Sequence, residues 1–360
     1  MAVPRDRAAN VDSVRDPAEH HEIRRDRVSV VLATFNGSRY VAEQLASLVE
    51  QTRQPDEVVV VDDASDDGTV ALVEAFAERS PAPVRLVARS EHRGTWATFE
   101  EGLRRATGDV LVVCDQDDHW APEKLEVLLR GLAERPDALM AFSDARLIDP
   151  HSRVIGRSRW RVAGFSPRNV QLVSLDPFGQ LLSHQAVSGC TMAIRADLLP
   201  ALLPFPADVH PGLPRMMYDR WMSLMAAAAG PVVTVPEKLV DYRIHPAQQS
   251  GIRAFRARRL APRTALLAAQ FVHRRAEVNR RLGYHAAHLE EIRKRLEAAD
   301  LADGETLARL AAAQRHLRMR GALGAVRRRR IRVVSAEYRR LDGYRRFSLG
   351  LASALADIVR

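Results

Sequence analysis

The apolar positions of this chain fall into short unbroken runs separated by segments with helical spacing. Val28-Ser29-Val30-Val31-Leu32-Ala33 is one such run, the pattern of a strand buried on both faces of a parallel sheet. It stops at the turn cluster Thr34-Phe35-Asn36-Gly37, and Tyr40 to Glu50 follows with helical periodicity. Glu57–Val61 reads as a second strand, ending in Asp62-Asp63-Ala64-Ser65-Asp66-Asp67-Gly68, with a helix over Thr69 to Arg79. Val84 to Ala88 predicts a third strand and Thr95 to Thr107 a third helix. A fourth strand, Asp109–Cys114, runs into Asp115-Gln116-Asp117-Asp118; a helix over Glu123 to Glu134 and a strand over Ala138 to Ser143 follow. Alternation of this kind predicts βαβ units: an α/β fold with a mixed, mostly parallel sheet flanked by helices.

Beyond Asp149 the pattern is less regular. A helix is expected near Pro177–His184 and a strand over Ser188–Ile194, entered at Gly189. A Met-, Trp- and Ala-rich helix should cover Arg215 to Ala229, with strands at Val232–Val235 and Val240–Pro246. From Arg253 the chain reads as Arg- and Ala-rich helix with a short stop at Asp300–Gly304. This divides the chain into a polar, flexible tail (1–25), an α/β unit (26–250) and a basic helical extension (251–360).

Composition adds limits. With 360 residues, 46% hydrophobic and 28% charged, the chain suits a globular protein and not a disordered one. Two cysteines, Cys114 and Cys190, cannot supply a disulfide framework, so a reducing compartment is the default. No run of about 18 apolar residues predicts a transmembrane helix, and Met1–Arg27 lacks the apolar segment of a secretory signal. A cytoplasmic location is the expectation. The net charge of +9 hides an asymmetry: residues 251–360 carry 26 Lys+Arg against 10 Asp+Glu, leaving the first 250 at −7. An acidic front part handles a phosphate-bearing ligand only with cations interposed, whereas the basic rear part seeks phosphates directly.

Ligands of parallel sheets bind at the carboxyl ends of the strands. Three strands here end there in polar residues: Thr34 and Asn36; Asp62 and Asp63; and Asp115, Asp117 and Asp118. Three carboxylates in four residues repel one another, and a hard divalent cation relieves that repulsion; Asp118 alone also reads as a cap for the helix near Pro122. One carboxylate of Asp62-Asp63 is expected to hold its turn together. No Gly-x-Gly-x-x-Gly or Walker A sequence occurs, which weighs against dinucleotide oxidoreductases and nucleoside triphosphatases. Asp144 lies at a further strand end and could orient a substrate. Cys114 and Cys190 read as small buried hydrophobes.

Four blocks, VSVVLATFNG (28–37), VVVVDDASDDG (58–68), RATGDVLVVCDQDDHW (105–120) and VSGCTMAIRADL (187–198), resemble family-two glycosyltransferases of the GT-A fold. The resemblance covers about 26–250, and DQDDxW, GTWATFEEGL and SGCTM look most like the bacterial rhamnosyltransferase-like branch. It implies an inverting, metal-dependent transfer from a nucleotide diphosphate sugar, with dTDP-rhamnose as a candidate donor, to a glycan or lipid-linked saccharide of the cell surface. By position, Ala33, Thr34 and Asn36 would meet the donor nucleotide, Asp63 its base and Asp115 its ribose. Asp117, with His245, would hold Mg²⁺ or Mn²⁺, and Asp219 would be the catalytic base. Gly189, Cys190, Thr191, Asp144 and Trp221 would line the sugar and acceptor pocket. Tyr218 departs from the family pattern, which usually has Glu or His before the base; so does His92-Arg93-Gly94, where an Asn often precedes the glycine.

Two other readings compete: a sugar nucleotidyltransferase, which the missing glycine-rich triphosphate loop disfavours, and a non-catalytic basic scaffold or nucleic-acid-binding protein that keeps a degenerate transferase domain, against which the retention of Asp63, Asp115, Asp117 and Asp219 together argues. Arg327–Arg332 and Arg339–Arg346 alternate with apolar residues, as in an amphipathic helix on an anionic membrane at the inner face; a helical appendage packed on the first unit is the competing view. Nucleic acid is not expected, because no recognised module accompanies the charge.

Overall fold

The computed structural model describes residues 25–206, 216–248 and 267–323, together with 333, 334 and 336. The sequence-predicted tail and the Arg327–Arg346 segments fall almost wholly outside these residues. The elements in chain order are β1 (Val28–Thr34), α1 (Val41–Val49), β2 (Glu57–Asp62), α2 (Thr69–Ala77), β3 (Val84–Ala88), α3 (Thr95–Arg105), β4 (Val110–Asp115), β5 (His119–Trp120) and α4 (Lys124–Glu134). Then come β6 (Met140–Ile148), α5 (Arg159–Val162), α6 (Pro167–Val173), α7 (Pro177–Ser183), β7 (Met192–Arg195), α8 (Leu199–Leu202), α9 (Tyr218–Ala229) and β8 (Val232–Arg243). Two helices, α10 (Leu267–Ala298) and α11 (Gly304–Gly321), follow.

The eight strands among the described residues form one sheet in the order β3-β2-β1-β4-β7-β6-β8-β5. The first four are parallel, as the alternation predicts, and β7 lies antiparallel between β4 and β6. The apolar runs are unbroken because both faces of the central strands are covered. Val31, Leu111 and Val113 point into a core shared with α3, α8, α9 and α10. Their neighbours Val30, Leu32, Val110 and Val112 point into a second core with α1 and α4. Each such side chain contributes about 1.5–3 kcal/mol on burial.

Two expectations are corrected here. The segment Val232–Val235 and the one beginning at Val240 are a single strand, β8, paired with β6 through a register shift at Ser143–Ala145. And Ser188–Ile194 is not strand throughout: Gly189–Thr191 forms one 3₁₀ turn before β7 begins at Met192. The helical extension packs against the first unit, since Leu282, Leu289, Ile292 and Leu296 of α10 share a core with Trp221 and Met225 of α9. No described helix is long and apolar enough to cross a membrane.

Candidate active site

Parallel strands bring the loops after β1, β2 and β4 to one edge, where α9 and the end of β8 close a cavity of about 570 Å³. Ala33, Thr34, Asn36, Asp63, Asp115, Asp117, Gly189, Asp219 and His245 all line it. These residues span six of the sequence segments singled out above, and the fold brings them together.

The first two loops are held by hydrogen bonds that fix them without a ligand. Asp62 is the carboxylate that holds its turn: it accepts from the Thr34 hydroxyl at 2.7 Å, the Ser65 hydroxyl at 2.6 Å and the Ser65 N–H at 2.8 Å. Asn36, with φ of +46°, occupies the left-handed region that asparagine tolerates better than most residues, and its side chain accepts from the Asp66 N–H at 3.0 Å. Asp63 is buried and already has three donors, with an imidazole beside it. Arg89 and the Arg93 N–H meet one oxygen, each at 2.9 Å, and the Gly94 N–H meets the other at 2.7 Å, with His92 Nδ1 2.9 Å from that oxygen. Burial raises its carboxyl, but these donors outweigh burial and leave it below the usual carboxylate range. His92 is the half-exposed member of the set, and its ring lies 4.2 Å from that of Phe35.

The acidic loop after β4 is anchored from three sides. Gln116 clamps the Phe35 peptide, accepting from its N–H at 2.8 Å and donating to its carbonyl at 2.9 Å. Gly37 permits this approach, since a Cβ there would sit 2.2 Å from Gln116 Oε1. Arg243, buried on β8, donates to the Asp117 carbonyl at 2.8 Å and gives its backbone N–H to Asp118 Oδ1 at 2.9 Å. Asp118 is thus tied to β8 and does not cap α4, whose first turn begins beyond Glu123. Asp115 accepts from the Tyr218 hydroxyl at 3.0 Å. Sequence reasoning singled out neither Gln116 nor Arg243.

Burial, then repulsion from Asp117, pushes the Asp115 carboxyl up to about 7, and Asp118 rises for the same reasons. The Asp118 Oδ2 atom is buried and has no hydrogen-bond partner among the described residues. Asp117 meets His245 Nε2 at 2.7 Å on the cavity wall. Behind them, ligand atoms of Asp115, Asp118 and Cys190 lie within 4.8 Å of one another. A carboxylate-rich loop with an imidazole beside it offers ligands that could hold a divalent cation. Lys124 attends the inner group: it is wholly buried, donates to the Cys190 carbonyl at 2.6 Å, and is pushed down to about 7 by burial. Burial drives both cysteine thiols well up, in keeping with their reading as inert hydrophobes.

Asp219 sits in the first turn of α9 and opens onto the cavity. Burial raises its carboxyl, opposed by the Arg159 charge and the Arg220 N–H, which donates at 2.6 Å. Four residues assigned to the sugar pocket lie off the cavity wall. Asp144 is buried and accepts from the Ala145 and Trp160 N–H groups at 2.8 and 2.9 Å, so it holds the chain after β6. Trp221 is wholly buried, its indole donating to the Leu202 carbonyl at 3.2 Å. Cys190 and Thr191 are buried in the 3₁₀ turn behind Gly189.

A mixed, mostly parallel sheet with acidic strand-end loops around such a cleft is the build of a glycosyltransferase domain. Residues 29–198 match the model of glycosyl transferase family 2, and this part of the chain belongs to that family, on a GT-A fold. Among curated proteins the chain is 26% identical over 219 residues to an uncharacterized glycosyltransferase of Nostoc sp., covering 61% of this chain and 65% of that one. It is 38% identical over 112 residues to the succinoglycan biosynthesis protein ExoO of Rhizobium meliloti, covering 31% and 30%. The chain thus spans less than two thirds of the length of these relatives. Among solved structures, Staphylococcus aureus TarS 1–349 in complex with UDP superposes with a TM-score of 0.51 at 16% identity, covering 92% of this chain and 88% of that one. That likeness is one of fold.

Proposed function

We propose that this chain is an inverting, cation-dependent glycosyltransferase that extends a cell-surface glycan or lipid-linked saccharide from a nucleotide diphosphate sugar. The observation that carries this reading is the convergence of Asp63, Asp115, Asp117, Asp219 and His245 on one cleft. The names of ExoO and of a teichuronic acid biosynthesis glycosyltransferase of Bacillus subtilis, 31% identical over 108 residues, favour a surface polysaccharide as product.

Asp117 and His245 would hold the cation, with Asp115 turned toward the nucleotide end of the donor. When bound, the cation supplies neutralisation of the charge that grows on the departing diphosphate. The loop residues Ala33, Thr34 and Asn36 border the nucleotide, and Asp63 fixes the His92–Gly94 wall beside it. Asp219 takes the acceptor hydroxyl proton as that oxygen bonds the anomeric carbon and the bond to the diphosphate oxygen breaks. One displacement with one base inverts the anomeric centre, with no covalent intermediate. The apolar walls of Phe99, Met217 and Tyr218 keep water from the donor. dTDP-rhamnose stays the candidate donor on the resemblance alone.

The test is a panel of nucleotide diphosphates and nucleotide sugars in thermal-shift and donor-hydrolysis assays, with and without Mn²⁺. Stabilisation by a diphosphate only when cation is present, and hydrolysis of one donor, are expected. Equal stabilisation by nucleoside triphosphates with pyrophosphate release would favour a nucleotidyltransferase instead.

A further inference from the structure

The geometry points to Tyr284, on the helical extension, as a positioning residue for the Asp219 carboxylate. The inference rests on the reading of Asp219 as base. Asp219 lies in the first turn of α9, whose N-cap residue Met217 contributes no side-chain cap. What fixes that turn comes from outside it. On the sheet side, the Tyr218 hydroxyl donates to Asp115 at 3.0 Å. On the opposite side, the Met216 N–H donates to the Tyr284 hydroxyl at 2.5 Å. Both Met216 and Tyr284 are buried.

The seat of Tyr284 is itself built. Its ring meets that of His288 at 4.1 Å, and His288 Nδ1 lies 2.9 Å from the Tyr284 carbonyl. One turn into α9, Trp221 has the Arg295 guanidinium 5.2 Å from its ring centre, and Arg295 also donates to the Leu202 and Pro204 carbonyls. The turn that carries Asp219 is thus tied through Tyr218 to the acidic loop, through Met216 to α10 and through the Arg220 guanidinium to the Leu181, Leu182 and His184 carbonyls, with Trp221 pinned just behind. None of the α10 residues lies in the family-matched segment, 29–198, and Tyr284 is not among the residues that line the cavity. It acts through the backbone that carries Asp219, and small displacements of a base are costly in rate.

The experiment compares Tyr284→Phe with Leu296→Ala, a buried α10 residue whose side chain offers no hydrogen bond to Met216, in the full chain. Amide exchange of the peptide 216–221, thermal stability, donor affinity and kcat are read together. In Tyr284→Phe, exchange at Met216–Trp221 should rise about tenfold, the size of one hydrogen bond. Its kcat should fall about tenfold with donor affinity unchanged, while Leu296→Ala lowers stability and leaves the kcat at permissive temperature near wild type. Unchanged exchange of 216–221 in Tyr284→Phe overturns the inference. So does an equal loss of kcat in Leu296→Ala, which would make the helices mere support. If the wild-type protein turns over no nucleotide sugar, the transferase reading fails, and the exchange result still decides whether Tyr284 holds the turn.

Discussion

The Tyr218 hydroxyl donates to Asp115 Oδ1 at 3.0 Å, joining residues 103 apart in the chain. The bond accounts for the departure from the family pattern before Asp219: tyrosine is long enough to cross to the acidic loop. It also accounts for Gly189, where a Cβ would lie 1.9 Å from the Tyr218 hydroxyl oxygen. The hydroxyl favours ionised Asp115, so Tyr218→Phe raises that carboxyl further and hinders cation binding. We expect cation-dependent diphosphate affinity to fall about tenfold at pH 7, one hydrogen bond's worth, and the deficit to shrink at pH 8.5. Calorimetric titration at the two pH values checks this; an equal deficit at both would exclude the protonation route.

Asp117 and His245 stand together at 2.7 Å on the cavity wall. If they hold the cation, Asp117→Asn and His245→Ala should each abolish the Mn²⁺-linked part of the nucleotide stabilisation. For a ligand at one hundred times its Kd that part is about 2.7 kcal/mol. Asp219→Asn should keep it and lose transfer. A variant Asp117→Asn with a full Mn²⁺-linked shift would move the cation to the inner group of Asp115, Asp118 and Cys190.

The raised carboxyls set a pH dependence with a definite sign. Asp115 is held at about 7, against an ordinary value of 3.8, so between these values the folded protein keeps a proton that the unfolded chain has released. Stability from this group is full below pH 4 and is lost as the pH rises through 7, at up to about 1.4 kcal/mol per pH unit. Asp118 and Asp219 shift in the same direction. Lys124, pushed down to about 7, adds the opposite slope only above pH 7, so the window that isolates the carboxyls lies below it. The cation-free protein should therefore unfold at lower temperature at pH 7 than at pH 5.5, and saturating Mn²⁺ should flatten the difference. A melting temperature that climbs from pH 5.5 to 7 without cation would contradict the buried, repelling arrangement.

Much of this site is legible in the sequence because a parallel sheet buried on both faces leaves unmistakable apolar runs, and whatever polar residue ends a run lies at the functional edge. Asp63, Asp115 and Asp117 follow from that logic, and Asp219 and His245 from their place in the resemblance beyond the four blocks. The clamps are not legible. Gln116 reaches Phe35 across 81 residues and Arg243 reaches Asp117 across 126, distances in sequence that no local pattern encodes. Trp221 and Asp144 lie off the pocket for a related reason: Trp221 stands close in sequence to cavity residues yet faces the interior, and Asp144, expected at the end of a strand over Ala138–Ser143, lies in the middle of β6, which runs on to Ile148 through the register shift. The continuity of β8 is hidden by Pro236, Glu237 and Lys238, exposed residues that read as a break and prove to lie beside the register shift with β6.

Arg243 separates the clamp from the ion pair. Its guanidinium donates to the Asp117 carbonyl at 2.8 Å, to Ser152 Oγ at 2.8 Å and to Glu43 at 2.6 Å, with the Tyr40 ring 4.6 Å away. The Arg243 side chain is wholly buried, whereas that of Glu43 is half exposed. Glu43→Gln should accordingly cost no more than about 1 kcal/mol, the range of an exposed pair. Arg243→Lys keeps the charge but not the planar fork that reaches three acceptors at once. It should cost about 2 kcal/mol, because the Asp117 carbonyl loses its donor in a buried setting, and it should loosen the acidic loop enough to weaken Mn²⁺-dependent nucleotide binding. Urea unfolding and calorimetric titration of both variants check this. Equal losses in the two would show that the contact with Glu43, and not the grip on Asp117, is what Arg243 provides.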